Sequence, residues 1–168
     1  MTEAVRQTHD QLADEMEIRG VVHRYADASS RRDPAGVAST LTSDGEWHSP
    51  AMGNHQGRDA VASFFTTMLE DWNAFIQGLL SGVVVLDAAD PDHATGRWFV
   101  EETGQRSGGA NLTVSGVYHD EYVREAGTWL ISHRRYDPLL IRADDTVTAL
   151  PFPTDGPGLD SPLAGRAT

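Results

Sequence analysis

The chain has 168 residues, 39% of them hydrophobic, which suits one globular domain with a real core. Its formal net charge is −12, so no basic footprint exists for nucleic acid or an anionic membrane as partner. All basic residues are arginines and cysteine is absent, which removes lysine Schiff bases, thiol nucleophiles, disulfides and thiolate metal sites. No apolar run reaches the roughly 18 residues of a bilayer span. The opening MTEAVRQTHDQ lacks the apolar stretch of a signal peptide, so a cytoplasmic location is expected.

Residues 9–30 carry helical periodicity, with Ile18, Val22, Tyr25 and Ser29 on one face. Asp27 falls on the other side of that helix, facing Arg31 at i+4. Asp33-Pro34 reads as the cap and first residue of a short second helix. Gly45 then breaks the chain, Glu46–Ser49 forms a short strand, and residues 50–57 form a loop. Arg58–Trp72 is a third helix, because Val61, Phe64, Phe65, Met68, Leu69 and Trp72 share a face.

Strands follow at 78–87, 94–103, 111–125 and 128–142. A Gly-rich loop at 104–109 and an Ala126-Gly127 hairpin turn connect the later ones. Helices followed by an antiparallel meander predict an α+β fold, with the helices on one face of a curved sheet that encloses a pocket. Residues 1–147 make the single domain, and 148–168, rich in proline and glycine, an extended tail that Leu150 and Phe152 pin down.

No phosphate loop or nucleophile elbow is present. The seven histidines do not show metal-ligand spacing, so neither a metal nor a cofactor is expected. What remains is a set of polar groups on alternating strands. On 111–125, alternation places Val114, Gly116, Tyr118, Asp120 and Tyr122 together, opposite His119. On the last strand it places Leu130, Ser132, Arg134 and Tyr136 together, opposite Trp129, Ile131, His133 and Arg135. An arginine beside an aspartate inside a cavity polarises a carbonyl or forms a structural ion pair. His48, Asp120 and Glu101 are the candidate bases, since each titrates at moderate pH. Trp47, Phe64, Met68 and Tyr118 are the candidate walls.

Three stretches carry a family resemblance: IRGVVHRYADASSRRDPAGVASTL, the G-R-x-A-V-x-x-F-F opening of the third helix, and VSGVYHDEYVREAGTWLISHRRYD. In them the chain resembles the SnoaL-like branch of the NTF2-like superfamily, which includes scytalone dehydratase, bile-acid 7α-dehydratase and hexachlorocyclohexane dehydrochlorinase. That resemblance implies a helix-covered cone and cofactor-free chemistry. Its lyases use an aspartate near the end of the first helix and a histidine at the start of the first long strand. A tyrosine or lysine one turn earlier assists, and the dehydrochlorinase adds a last-strand arginine. Carried over, the helper falls on Tyr25 and the arginine on Arg134. The aspartate position is Ser30, and the histidine position is Gln77 or Gly78. Both halves of the lyase dyad are therefore replaced by groups that do not titrate near neutral pH.

The resulting expectation is a cofactor-independent cyclase or isomerase acting on a small hydrophobic polyketide-, terpenoid- or epoxide-like substrate. Tyr25 and Arg134 polarise it, Asp120 or His48 moves the proton, and Ser30, Gln77 and Glu101 join the wall residues in binding. A lyase with a relocated base and a non-catalytic binding protein are the alternatives. The resemblance also implies a homo-oligomer, either dimer or trimer.

Overall fold

A computed structural model describes residues 8–154. The readings of residues 1–7, and of the tail beyond residue 154, lie outside the described residues. Thr8 opens helix α1 (His9–Ser30) with a capping box to Gln11, satisfying two donors that the first turn leaves bare. The helix buries Ile18, Val22, Tyr25 and Ser29 on its predicted face. Asp27 lies exposed, 2.9 Å from Arg31. Asp33 accepts from the Gly36 N–H at 2.8 Å and so caps α2 (Pro34–Ser39).

Several boundaries differ from the sequence reading. Strand β1 (Leu41–Ser49) runs straight through Gly45. A Cβ at Gly45 would press on Leu41, Thr42 and the Ile131 carbonyl. The glycine thus permits an irregular, close-packed stretch of strand rather than ending it. The expected loop that follows contains β2 (Gly53–Gln56), paired back onto β1.

The third helix, α3, covers Arg58–Glu70, and Trp72 instead begins β3 (Trp72–Leu86). Its partner β4 (His93–Arg106) also outruns its expected end, because Gly104 lets the Ala74 carbonyl approach its backbone. That glycine serves a close strand contact, and the true turn comes later, near Gly109, whose φ is +91°.

Strands β5 (Asn111–Glu125) and β6 (Thr128–Ala143) meet at Ala126-Gly127, where both residues have positive φ, the geometry of a tight hairpin. Strand β7 (Thr146–Ala149) folds back on β6. The sheet order is β2-β1-β6-β5-β4-β3, with β7 also on β6. Among the described strands, β1 and β6 run parallel and the other pairs are antiparallel. Helix α1 packs on β3 and β6, and α3 on β1, β2 and β3, so the helices cover one face of a curled mixed sheet. The fold is α+β, as the element order predicts. No described helix is long and apolar enough to cross a membrane.

Faces on β5 follow simple alternation: Tyr118, Asp120 and Tyr122 are all buried on the helix side. Faces on β6 do not. Glu121 pairs with His133 and Tyr122 with Ile131, so Ser132 is an extra residue. This bulge groups Trp129 and Ile131 with Arg134 and Tyr136, correcting the expected set of Leu130, Ser132, Arg134 and Tyr136. Beyond β7, the Leu150 N–H donates to the Leu139 carbonyl at 2.8 Å, and Phe152 rests against Phe99 and His119.

Gly104 gives a direct test of the packing. Gly104→Ala should lower unfolding free energy by about 1–3 kcal/mol, since the added methyl meets backbone that cannot swing away. Gly108→Ala, with nothing within 4 Å of the new methyl, should stay within about 0.5 kcal/mol. Urea titrations of both variants decide it, and equal losses would refute the close-approach reading.

Candidate active site

Arg134 lies at the centre of the buried network and is fully buried. Its Nε donates to Asp120 Oδ1 at 2.8 Å and its Nη2 to Oδ2 at 2.6 Å. The guanidinium is sandwiched between the rings of Tyr25 and Tyr118, each centroid 4.1 Å away. Burial works against its charge, but the Asp120 carboxylate beside it outweighs burial and raises its pKa. Tyr122 donates to the same carboxylate at 2.5 Å and accepts from Trp98 Nε1 at 2.8 Å. Asp120 therefore accepts three hydrogen bonds, one on Oδ1 and two on Oδ2. Tyr25 accepts from Trp47 Nε1 at 2.9 Å, and burial pushes its phenol up to about 12.

Beyond Tyr118 lies a second polar centre. Glu102 Oε1 accepts from Gln77 Nε2 at 2.8 Å and, more weakly, from the Tyr118 hydroxyl at 3.4 Å. Its Oε2 accepts from the Tyr136 hydroxyl at 2.8 Å. The Gln77 Nε2 also donates to Tyr118 at 2.7 Å. No cation pairs with Glu102 among the described residues. Burial consequently raises its pKa, against the opposing hydrogen bonds from Tyr136, Gln77 and Tyr118. Gly116 leaves the space that the Tyr136 ring occupies; a Cβ there would strike it.

Glu102 borders a cavity of about 250 Å³, walled mainly by apolar groups such as Trp47, Met68, Phe75, Leu112 and Ile141. That is just below the roughly 300–1,000 Å³ of drug-sized sites, so it suits a ligand of one or two rings. A lone carboxylate of raised basicity at an apolar wall is equipped to take a proton from carbon and return it.

The structure distributes the sequence candidates unevenly. Trp47, Met68 and Tyr118 line the cavity. Tyr25, Asp120 and Arg134 come together but lie behind Tyr118 and are not among its lining residues. Ser30 and Gln77 meet, Ser30 Oγ accepting from the Gln77 N–H at 3.0 Å, as the family carry-over implies. Neither touches the cavity itself, yet Gln77 reaches it through Glu102.

Three placements correct the expectations. His48 points away from Trp47 and Ser49, which are the inward residues of β1. Glu101 alternates outward, because Trp98, Val100 and Glu102 take the inner face of β4. Phe64 stacks on His55 at 4.1 Å instead of lining the cavity. Glu102 and Tyr136 were missed as site residues. The signal for Glu102 was the W-x-V-x-E alternation from Trp98, but the run Trp98-Phe99-Val100 is apolar throughout and leaves the inward face undecided. Among the described residues, no three His, Cys, Asp or Glu side chains gather closely enough to hold a metal ion.

A cone of helices over a curled sheet with a polar inner network defines the class, and the SnoaL-like domain profile matches residues 10–135. The chain belongs to the SnoaL-like family. No curated protein sequence matches it. Among solved structures, it is similar to hexachlorocyclohexane dehydrochlorinase LinA-type3 from Novosphingobium barchaimii LL02, with 21% identity and a TM-score of 0.71 over 88% of this chain and 97% of that one. A candidate scytalone dehydratase from Novosphingobium aromaticivorans DSM 12444 gives 16% identity and a TM-score of 0.76 over 89% of this chain and 100% of that one. A protein of unknown function from Mycobacterium tuberculosis gives 22% identity and a TM-score of 0.68, over 81% of this chain and 78% of that one. At these identities the likeness establishes the shared fold.

The raised pKa of Glu102 has a signature in stability. The folded state holds a proton that the unfolded chain releases near the ordinary value of 4.5. Its contribution is full below that pH and is lost as pH rises through the folded pKa. Melting temperatures of wild type and Glu102→Gln, compared from about pH 4 to pH 8, should diverge in favour of the variant as pH rises, then level off. A constant difference across that range would refute the shift.

Proposed function

We propose that this protein is a cofactor-independent enzyme that moves a proton within a small, mostly apolar substrate, in the manner of an isomerase or cyclase. The observation that carries the reading is Glu102: a carboxylate without a cation partner among the described residues, made more basic by burial, bordering an apolar cavity. In an isomerisation, Glu102 takes a proton from one carbon and returns it to another, so nothing is lost or gained. Tyr118 and Tyr136, donating to its two oxygens, hold the carboxylate in register. Gln77 completes the cradle. In a cyclisation the same proton transfer accompanies carbon–carbon bond formation in a substrate folded by the cavity walls.

Elimination is the second reading, and the same residue favours it. Carried over from the family, the aspartate position falls on Ser30 and the histidine position on Gln77 or Gly78, and Gln77 hydrogen-bonds a carboxylate supplied from β4. Glu102 then serves as the relocated base: it takes the proton, the C–H electron pair becomes the new double bond, the leaving group departs with its own bonding pair, and Glu102 afterwards passes the proton to that group or to water. The lyase names among the structural neighbours add support to this reading.

Proton abstraction can be read without knowing the natural substrate. Wild type should accelerate incorporation of solvent deuterium into 2-tetralone, a bicyclic ketone with acidic C–H bonds, followed by proton NMR. Glu102→Gln should slow the enzyme-dependent exchange by roughly 10²–10⁴-fold, while Glu101→Gln should leave it unchanged. Equal exchange by wild type and Glu102→Gln would overturn the assignment.

A further inference from the structure

The cavity has a second polar feature that proton transfer does not use. Trp72 and Arg106 are directly paired across β3 and β4, and both line the cavity. The Arg106 guanidinium lies 4.8 Å from the Trp72 ring centroid, and its Nη1 lies 3.1 Å from Asp71 Oδ2. Asp71 is itself fixed, accepting from the Ser107 hydroxyl at 2.6 Å and from the Ser107 N–H at 2.9 Å. The guanidinium is thus oriented by stacking and by one ion pair, with most of its five N–H donors uncommitted. Among the described residues, Arg106 is also the only cationic side chain lining the cavity.

An independent observation falls at the same place. Trp72 is 5% exposed, and its Nε1–H is buried without any hydrogen-bond partner among the described residues. A buried donor left unpaired is costly, and an incoming oxygen would satisfy it. Trp72 and Arg106 therefore offer donors only. Both residues line the cavity, and its carboxylate, Glu102, stands four residues back from Arg106 along the same face of β4, about 13 Å between Cα positions.

We infer that the ligand of this cavity is a small carboxylic acid with an apolar ring body. Its carboxylate is held by Arg106 and Trp72, and its reacting carbon is directed towards Glu102. The arrangement fits an oxyanion, because a guanidinium fork and an indole N–H both donate and neither accepts. It also makes sense against a net charge of −12, which does not attract anions by its overall field. The inference names the substrate class for the site proposed above and rests on that cavity being the ligand site, but not on Glu102 acting as a base.

The test is binding of 2-naphthoate against its neutral isostere 2-naphthamide, by isothermal titration calorimetry. Wild type should prefer the acid by roughly ten- to a hundredfold, the range expected for hydrogen bonds to a charged group. Arg106→Gln should abolish that preference while leaving naphthamide affinity in place, Arg106→Lys should keep part of it, and Trp72→Phe should weaken the acid selectively. Equal affinity of wild type for the two probes, binding of neither, or a parallel loss of both in Arg106→Gln would overturn the inference. Glu102→Gln should bind naphthoate with the wild-type preference. Loss of proton exchange in that variant with the preference retained separates the fate of this inference from that of the catalytic reading.

Discussion

The inner structure depends on one buried cation. Arg134 has no access to water, and a guanidinium in that position is tolerated only because Asp120 meets it with both oxygens and two tyrosine rings cover its faces. The cluster draws on three parts of the chain: Tyr25 from α1, Asp120 and Tyr118 from β5, and Arg134 itself from β6. The cation therefore ties the long helix to the two central strands. It also presses on the ring of Tyr118, whose hydroxyl belongs to the Glu102 cradle. Support and site are adjacent layers of one network.

That layering separates two carboxylates on the same inner surface. Asp120 is paired with Arg134 and held by Tyr122, and it is not among the residues lining the cavity. Glu102 is surrounded by neutral donors instead, and desolvation shifts its pKa upward. The contrast arises from environment alone, as in other sites where paired acids take different roles. At the end of the same strand, Arg106 adds a positive charge to the cavity lining.

Much of this architecture was legible in the sequence. The first helix, the Asp33 cap and the Ala126-Gly127 hairpin follow from local rules with clear physical causes: periodicity, an unsatisfied helix start, and a turn that requires positive φ. The pairing of Ser30 with Gln77 was legible through family resemblance. The misread boundaries share a cause. Gly45 and Gly104 resemble breaks, yet each sits where another backbone or side chain comes close, a non-local fact. Glu102 and Glu101 are neighbours in an unbroken apolar-to-acidic stretch, and only the pairing of β4 with β3 and β5 selects which one faces inward. The β6 faces were hidden for the same reason, since no local pattern marks Ser132 as a bulge.

Ser132 makes the spacing of residues along β6 part of what specifies the site. The strand reaches its inner face at Ile131 and again at Arg134, three positions on rather than two. Pair the same residues without the bulge and strict alternation from Ile131 would carry the guanidinium to the outer surface and leave Asp120 buried without a counter-charge. Every residue that forms the network would still be present in the chain. The information that assembles it is thus partly a count of residues, carried by a serine that neither touches the cavity nor joins the network.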